Sequence, residues 1–152
     1  MHPRKFALIG GIVMLAAGLL ALVAPGARAF NLPNLIVESS YGMFLGIFPM
    51  NIYNKLALIL FGAAGIFSAY RPTTSLPASI KWARWVFGVM GVAAILGLFT
   101  GTNTLYGYWP LFGAEVWLHG VAAVLGAYFG FVLPSRAARA LNSSEAGHGR
   151  AA

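Results

Sequence analysis

The chain has 152 residues, of which 59% are hydrophobic and only 9% are charged. A soluble domain carries charge on roughly a quarter of its residues. Ten basic and three acidic residues therefore cannot cover a water-exposed surface. Intrinsic disorder is excluded as well, because this much apolar surface would not remain in water. The composition predicts an integral membrane protein.

The formal net charge of +7 comes from short basic clusters that lie between apolar runs. This arrangement is typical of membrane topology and differs from a nucleic-acid-binding groove. We therefore expect no nucleic acid partner, and we expect contacts with membrane lipid and with other membrane subunits or further copies of the chain. Cysteine is absent, which excludes disulfides and thiolate metal sites.

Four apolar segments are long enough to cross the hydrocarbon core as helices, which takes about 20 residues. They cover residues 6–24, 52–70, 82–102 and 116–133. Pro25 follows the first segment and Pro134 follows the fourth, and proline favours a helix end. The fold class is thus an all-α membrane protein, with a single four-helix domain over 1–134 and a polar, disordered cytoplasmic tail over 135–152.

The first segment also has features of a cleaved signal peptide. Basic residues precede it, and Ala27-Arg28-Ala29 has the form of a cleavage site. Its apolar run is longer than the ~7–15 residues of a signal peptide. We therefore interpret the segment as a retained span, and cleavage after Ala29 stays as the alternative.

Basic residues are distributed unequally between the two sides of the predicted bundle. One side holds Arg4, Lys5, Arg71, Lys81, Arg84, Arg136, Arg139 and Arg150. The other side holds only Arg28 and Lys55. The positive-inside rule then predicts a multi-pass protein of the cell inner (plasma) membrane with both termini in the cytoplasm. Aromatic residues that flank the spans are expected at the membrane interfaces: Trp82, Trp85, Trp109, Trp117, Tyr106 and Tyr108.

The connection over 26–50, between the first two spans, is long and apolar. Such a segment is not expected to lie loosely in water. We expect it to lie in the membrane interface as short amphipathic segments, or to be covered by a partner.

The two non-cytoplasmic connections resemble each other. Phe48-Pro49 precedes the second span, and Trp109-Pro110 precedes the fourth. Because both span pairs cross the membrane in the same order, the similarity predicts two repeated helical hairpins.

The same stretches resemble the bacterial four-helix integral membrane family catalogued as domain of unknown function 4383. The resemblance covers roughly residues 42–131 and is most specific in the Trp117-Leu118-His119 entry to the last helix. The other matching stretches are Leu45-Gly46-Ile47-Phe48-Pro49-Met50-Asn51 with Asn54, Leu98 to Gly107, and Pro110 to Val116. The resemblance implies the four-helix topology and no activity. Members often carry histidines where this chain has Tyr53 and Ala57, so it implies no two-histidine site here.

Three ionisable residues fall within spans: Lys55, Glu115 and His119. Such residues are costly in lipid, so each is a candidate functional residue. Glu115 and His119 are four apart and share a helix face, and Lys55 is expected at the same depth, within reach of Glu115. Three interpretations stay open: a structural polar cluster, proton or ion handling, and axial ligation of a tetrapyrrole by His119.

Small residues repeat on two of the predicted helices. Ala122, Gly126 and Gly130 share a face with His119, and Ala93, Gly97 and Gly101 form a stripe on the third span. Small residues let helices approach closely, so we expect the third and fourth helices to pack tightly through these residues.

No catalytic constellation is recognised in the sequence, and one intramembrane histidine cannot supply the three or four ligands of a zinc site. We therefore expect no enzyme activity, no catalytic residue, no metal and no firm cofactor. The favoured function is a non-catalytic accessory or structural subunit that packs in a larger membrane complex or homo-oligomer. The alternative is a small transporter or ion-conducting protein that uses Lys55, Glu115 and His119. A second alternative is a haem or chlorophyll binder with His119 as the single ligand.

Overall fold

The computed structural model describes residues 2–24, 26 and 32–148. Its helices are α1 (Pro3–Val23), α2 (Ile52–Tyr70), α3 (Ser75–Gly97) and α4 (Ala114–Ala127), and α4 continues through a π-helical turn (Tyr128–Val132) into α5 (Leu133–His148). Two antiparallel strands, β1 (Gly42–Phe44) and β2 (Phe48–Met50), lie between α1 and α2. Within the described ranges, four helical segments are long and apolar enough to cross a membrane: α1, α2, α3 and Ala114–Ala140. The predicted four-span, all-α fold is confirmed.

The bundle has two chemically different ends. At one end, which we call the basic end, the start of α1 lies beside the end of α2. Arg4 Nε donates to the Ala69 carbonyl there at 2.8 Å. The Phe6 ring stacks on Phe129 there, with 4.6 Å between centroids, which brings the last helix to the same end. The opposite end, which we call the hairpin end, carries β1, β2 and a 3₁₀ turn at Leu105–Gly107.

Each helical hairpin is held by direct contact between two backbones. In the first, a Cβ atom on Gly11 would lie 2.8 Å from the Gly62 carbonyl oxygen. In the second, a Cβ atom on Gly126 would lie 2.6 Å from the Phe87 amide nitrogen. Because lipid supplies no hydrophobic drive for helix association, such close packing is what holds these pairs together.

The two hairpins make equivalent contacts at several positions. Arg4 on α1 donates Nε to the Ala69 carbonyl of α2, and Arg84 on α3 donates Nε to the Gly130 carbonyl of the π-helical turn at 2.9 Å. The helices are thus paired alike in both repeats. Further equivalent pairs at matching spacings are Ala7 and Phe87, Gly65 and Gly126, and the fully buried Pro49 and Pro110.

Helix α3 differs in position from the predicted span over 82–102. It begins at Ser75, because Pro77 falls in the first turn, where a missing N–H costs nothing. It ends at Gly97, and the Thr102 hydroxyl then donates to the Leu96 carbonyl at 2.7 Å within the following turns. Trp82 consequently lies about two turns inside the helix. It is buried in the core and donates Nε1 to the Phe61 carbonyl, so its predicted place at the membrane interface was wrong.

The last span does not end at Pro134. Proline lacks an N–H, so the helical partner of the Gly130 carbonyl is missing, and Arg84 supplies a donor in its place. The π-helical turn over Tyr128–Val132 accommodates the change, and α5 continues to His148. A helix therefore occupies much of the segment for which the sequence suggested a disordered tail.

The apolar connection before α2 is folded onto the bundle. Phe44 and Met50 of the strands pack against Ala21 of α1 in a small buried cluster. Tyr41, in the same connection, is also buried and donates its hydroxyl to the Pro33 carbonyl at 3.2 Å. Burial, together with the negative charge of Glu38, raises the pKa of Tyr41. Arg28 and the possible cleavage position after Ala29 lie outside the described residues, as does Arg150.

Candidate functional site

The buried polar side chains of the spans are concentrated at the hairpin end. Asn54 and Lys55 stand in the first turn of α2, directly after the N-cap Asn51. Glu115 stands in the first turn of α4, and His119 follows one turn later. Both helices begin at this end, so the topology brings the three residues singled out in the sequence into one layer.

Asn51 and Asn54 form the start of α2. The Asn51 side chain accepts from the Tyr53 and Asn54 amides, and the Asn54 side chain accepts in return from the Asn51 amide at 3.1 Å. This reciprocal pair is a capping box, which satisfies helix-end donors that water cannot reach. The sequence analysis did not single out Asn51, although a polar N-cap residue before an apolar run is the signal that could have found it.

The same two amides join the connections of the two repeats. Asn51 Nδ2 donates to the Val37 carbonyl at 3.2 Å and to the Tyr108 carbonyl at 2.8 Å. Asn54 Nδ2 donates to the Pro110 carbonyl at 3.3 Å. Since every bond ends on a main-chain carbonyl, these side chains hold loops in place. Their role in the described structure is architectural.

Lys55 is almost completely buried and is bound to the loop above it. Its Nζ donates to the Ser40 hydroxyl at 2.6 Å and to the Ser40 carbonyl at 2.8 Å. The contact between Lys55 and Glu115 that the sequence suggested does not form: across 2–24, 26 and 32–148, no ion pair joins the two. The two Ser40 acceptors explain the difference, because the Lys55 ammonium group donates to them instead.

Glu115 and His119 form a pair of their own. Glu115 Oε2 lies 3.3 Å from His119 Nε2, and the two side chains are only 3% and 12% exposed. Glu115 Oε1 and His119 Nδ1 are both buried, and neither has a hydrogen-bond partner among the described residues. Buried polar atoms are rarely left unpaired. The pair therefore leaves one carboxylate oxygen and one ring nitrogen unpaired inside the bundle.

The residues that the structure describes do not add metal ligands to this pair. No group of three or more His, Asp or Glu side chains is close enough to hold a metal ion within the described part of the chain. His2 lies just before α1, at the basic end. A zinc site of three or four protein ligands cannot be assembled here from these residues alone.

The small residues predicted for helix packing fall into two groups. Gly126 and Gly130 lie directly against α3, where their contacts are Ala83, Phe87 and Arg84. Gly97 lies instead against the Leu111 carbonyl and Val116, at the start of α4. The remaining predicted positions contribute less: Ala93 and Ala122 are half-buried, and Gly101 lies beyond the end of α3 with no atom near its Cβ position.

Sequence analysis missed the small-residue interface between α1 and α2. Gly18 lies against the Lys55 carbonyl, and Gly65 lies against the Ala7 carbonyl. A Cβ atom on either glycine would lie 2.8 Å from that carbonyl oxygen. The signal was present as glycines two turns apart, at Gly11 and Gly18, on one face of the first span.

Comparison with known proteins assigns the chain. A family model described as a domain of unknown function, DUF4383, matches residues 4–132. The chain belongs to the DUF4383 family. The matched range takes in the four spans as far as the end of the π-helical turn, so α5 lies beyond it. No curated protein and no solved structure gives a significant match to this DUF4383 chain.

Proposed function

We propose that this multi-pass membrane protein is a non-catalytic accessory subunit that binds another membrane protein through the tip of its β-hairpin. The observation that carries the proposal is the apolar surface of that tip. Leu45 is 73% exposed and Ile47 is 53% exposed, although both lie beyond the ends of the spans. Large apolar side chains exposed together outside the lipid-facing surface favour a protein contact.

The hairpin presents these side chains on an ordered backbone. Strands β1 and β2 are paired, and the Gly46 and Ile47 amides donate back to the Met43 and Phe44 carbonyls at 3.2 Å. Leu45 adopts a φ of 53°, a conformation that Asn or Gly usually takes in such turns. A strained apolar residue at an exposed turn supports a role in binding, since strain persists where it serves a function. Because the hairpin backbone is already ordered before a partner binds, the entropic cost of association is lower.

The decisive experiment is mass spectrometry of the protein purified from its native membrane in a gentle detergent. We expect a partner polypeptide at fixed stoichiometry, which is lost from a Leu45→Ser/Ile47→Ser double variant. Leu76→Ser is the matched control, because it makes the same change at an exposed residue of the opposite end. Purification of the chain alone, or equal partner retention by the double variant, would contradict the proposal. Recovery of further copies only would make the assembly a homo-oligomer.

We also propose that both termini lie in the cytoplasm of a bacterial inner membrane, with the hairpin end on the opposite side. The basic residues at the basic end support this orientation through the positive-inside rule. Because the chain has no cysteine, single-cysteine labelling tests it directly. We expect a membrane-impermeant maleimide to label Ser39→Cys in spheroplasts and to label Thr73→Cys only after lysis. Labelling of Thr73→Cys in spheroplasts, and of Ser39→Cys only after lysis, would show that the orientation is the opposite one.

A second candidate function is proton or ion handling by Glu115 and His119. The specific observation in its favour is the pair of buried atoms without a partner, Glu115 Oε1 and His119 Nδ1. Intramembrane ionisable residues commonly mark such pathways. In proteoliposomes, Glu115→Gln should abolish a flux that Glu38→Gln leaves unchanged. Absence of any flux above empty vesicles would remove this candidate. A tetrapyrrole absorption band that His119→Ala abolishes would instead assign the pair to ligand binding.

A further inference from the structure

We propose that each helical hairpin binds the headgroup of one anionic phospholipid at the basic end, through the guanidinium groups of Arg4 and Arg84. The inference does not depend on the proposed subunit role. It rests on how these two arginines are held, which distinguishes them from the other basic residues at the same end.

The two arginines are oriented in the same way in both repeats. Each donates Nε to a main-chain carbonyl of the partner helix, at 2.8 Å for Arg4 and 2.9 Å for Arg84. Both residues are exposed, and across the described ranges their Nη atoms make no hydrogen bond to another residue. A guanidinium group presents its remaining donors as a planar fork, which matches the oxygens of a phosphate.

The backbone itself requires these Nε bonds. Ala69 is in the last turn of α2, where carbonyl groups have no helical partner. Gly130 precedes Pro134 by four residues, so its carbonyl also lacks the usual N–H donor. The Arg84 guanidinium additionally lies over the Phe131 ring, 5.0 Å from its centroid. Each guanidinium group is therefore fixed before a ligand arrives, which lowers the entropic cost of binding.

The surrounding charge favours an anion. The other described basic side chains at this end are also exposed: Lys5, Arg71, Lys81, Arg136 and Arg139. The acidic residues whose side chains are described, Glu38 and Glu115, belong to the hairpin end. Arg4 lies in the first turn of α1. Arg84 lies further along α3, but its bond to the Gly130 carbonyl is the counterpart, in the second repeat, of the bond from Arg4 to Ala69. The phosphate within reach of this basic end of the bundle is that of a lipid headgroup.

Native mass spectrometry of the full chain tests the proposal. The protein would be released from mixed micelles that contain phosphatidylglycerol and phosphatidylcholine. We expect two phosphatidylglycerol molecules to be retained, one to be lost in Arg4→Gln or Arg84→Gln, and both to be lost in the double variant. Each single change should weaken retention at least about fivefold. Excess inorganic phosphate should not displace the lipid.

Matched lysine variants separate a built site from diffuse charge. Lys5→Gln and Lys81→Gln each remove one positive charge next to an anchored arginine, and we expect them to weaken retention less. Pro134→Ala provides a test that keeps every charge, because it returns an N–H to the Gly130 carbonyl and frees Arg84. We expect it to weaken one of the two sites. The proposal is overturned by equal retention of the two lipids, by equal effects of arginine and lysine variants, or by displacement with inorganic phosphate.

Discussion

Substitution of Gly126 by alanine provides the sharpest test of the helix packing described above. The added Cβ atom would lie 2.6 Å from the Phe87 amide nitrogen and 2.8 Å from the Ala83 carbonyl oxygen. Both neighbours are main-chain atoms of α3, so no side chain can rotate away to make room. The two helices must separate locally, and the contacts around Gly126 must weaken with them.

A control on the same helix isolates the cost of this contact. Gly120 also lies within α4, and a Cβ atom there would have no atom within 4 Å. Alanine gains about 1 kcal/mol over glycine in a helix interior, and this gain applies to both positions. The difference between the two variants is therefore the overpacking term, about 1–3 kcal/mol. We expect the upper part of this range, because both contacts involve backbone.

The free energy of unfolding can be measured in detergent micelles by titration with sodium dodecyl sulfate, with tryptophan fluorescence as the signal. We expect Gly120→Ala to match or slightly exceed the parent protein and Gly126→Ala to unfold at lower denaturant. Gly126→Leu should disrupt the α3–α4 pair more severely. If Gly126→Ala were as stable as Gly120→Ala, α3 and α4 would not approach at this point, and the packing argument would fail.

Three other residues provide further tests of the structure: Gly65, Asn51 and Tyr41. Gly65→Ala, at the position in the first repeat equivalent to Gly126, should destabilise by a similar ~1–3 kcal/mol in that titration, and a neutral effect would refute the repeat. Asn51→Ala removes the N-cap and two bonds between loops, so we expect a loss of about 2–4 kcal/mol, against little change for the exposed Asn34→Ala. Because the pKa of Tyr41 is raised on folding, its contribution to stability is complete below about pH 10 and is lost as the pH rises further. Thermal denaturation should therefore show a smaller loss above that pH for Tyr41→Phe than for the exposed Tyr106→Phe, and equal losses would contradict the assignment.

The number of spans could be predicted from the sequence, because it depends on a local quantity. Each span is a run of apolar residues long enough for the hydrocarbon core, and such a run must be helical to satisfy its own backbone. The resemblance of Phe48-Pro49 to Trp109-Pro110 likewise indicated a duplication, since it is a property of the chain itself. The family assignment agrees with that analysis.

Helix ends were predicted less well, because they depend on contacts between distant residues. Pro134 marks a helix end in the sequence, yet the helix continues, since Arg84 on another helix supplies the missing donor. Tryptophan is a residue type that is enriched at membrane interfaces. Because α3 begins at Ser75, however, Trp82 lies in the core. Neither outcome can be read from a single segment.

The sequence alone determined which residues are candidates for chemistry, because an ionisable group in an apolar run is visible without a fold. The tertiary structure decided which of them stand together. Lys55 is occupied by Ser40, fifteen residues earlier in the chain, whereas Glu115 and His119 are left with unpaired atoms inside the bundle. Hydrogen-bond satisfaction depends on every neighbour in space, and only the packed helices and loops define those neighbours.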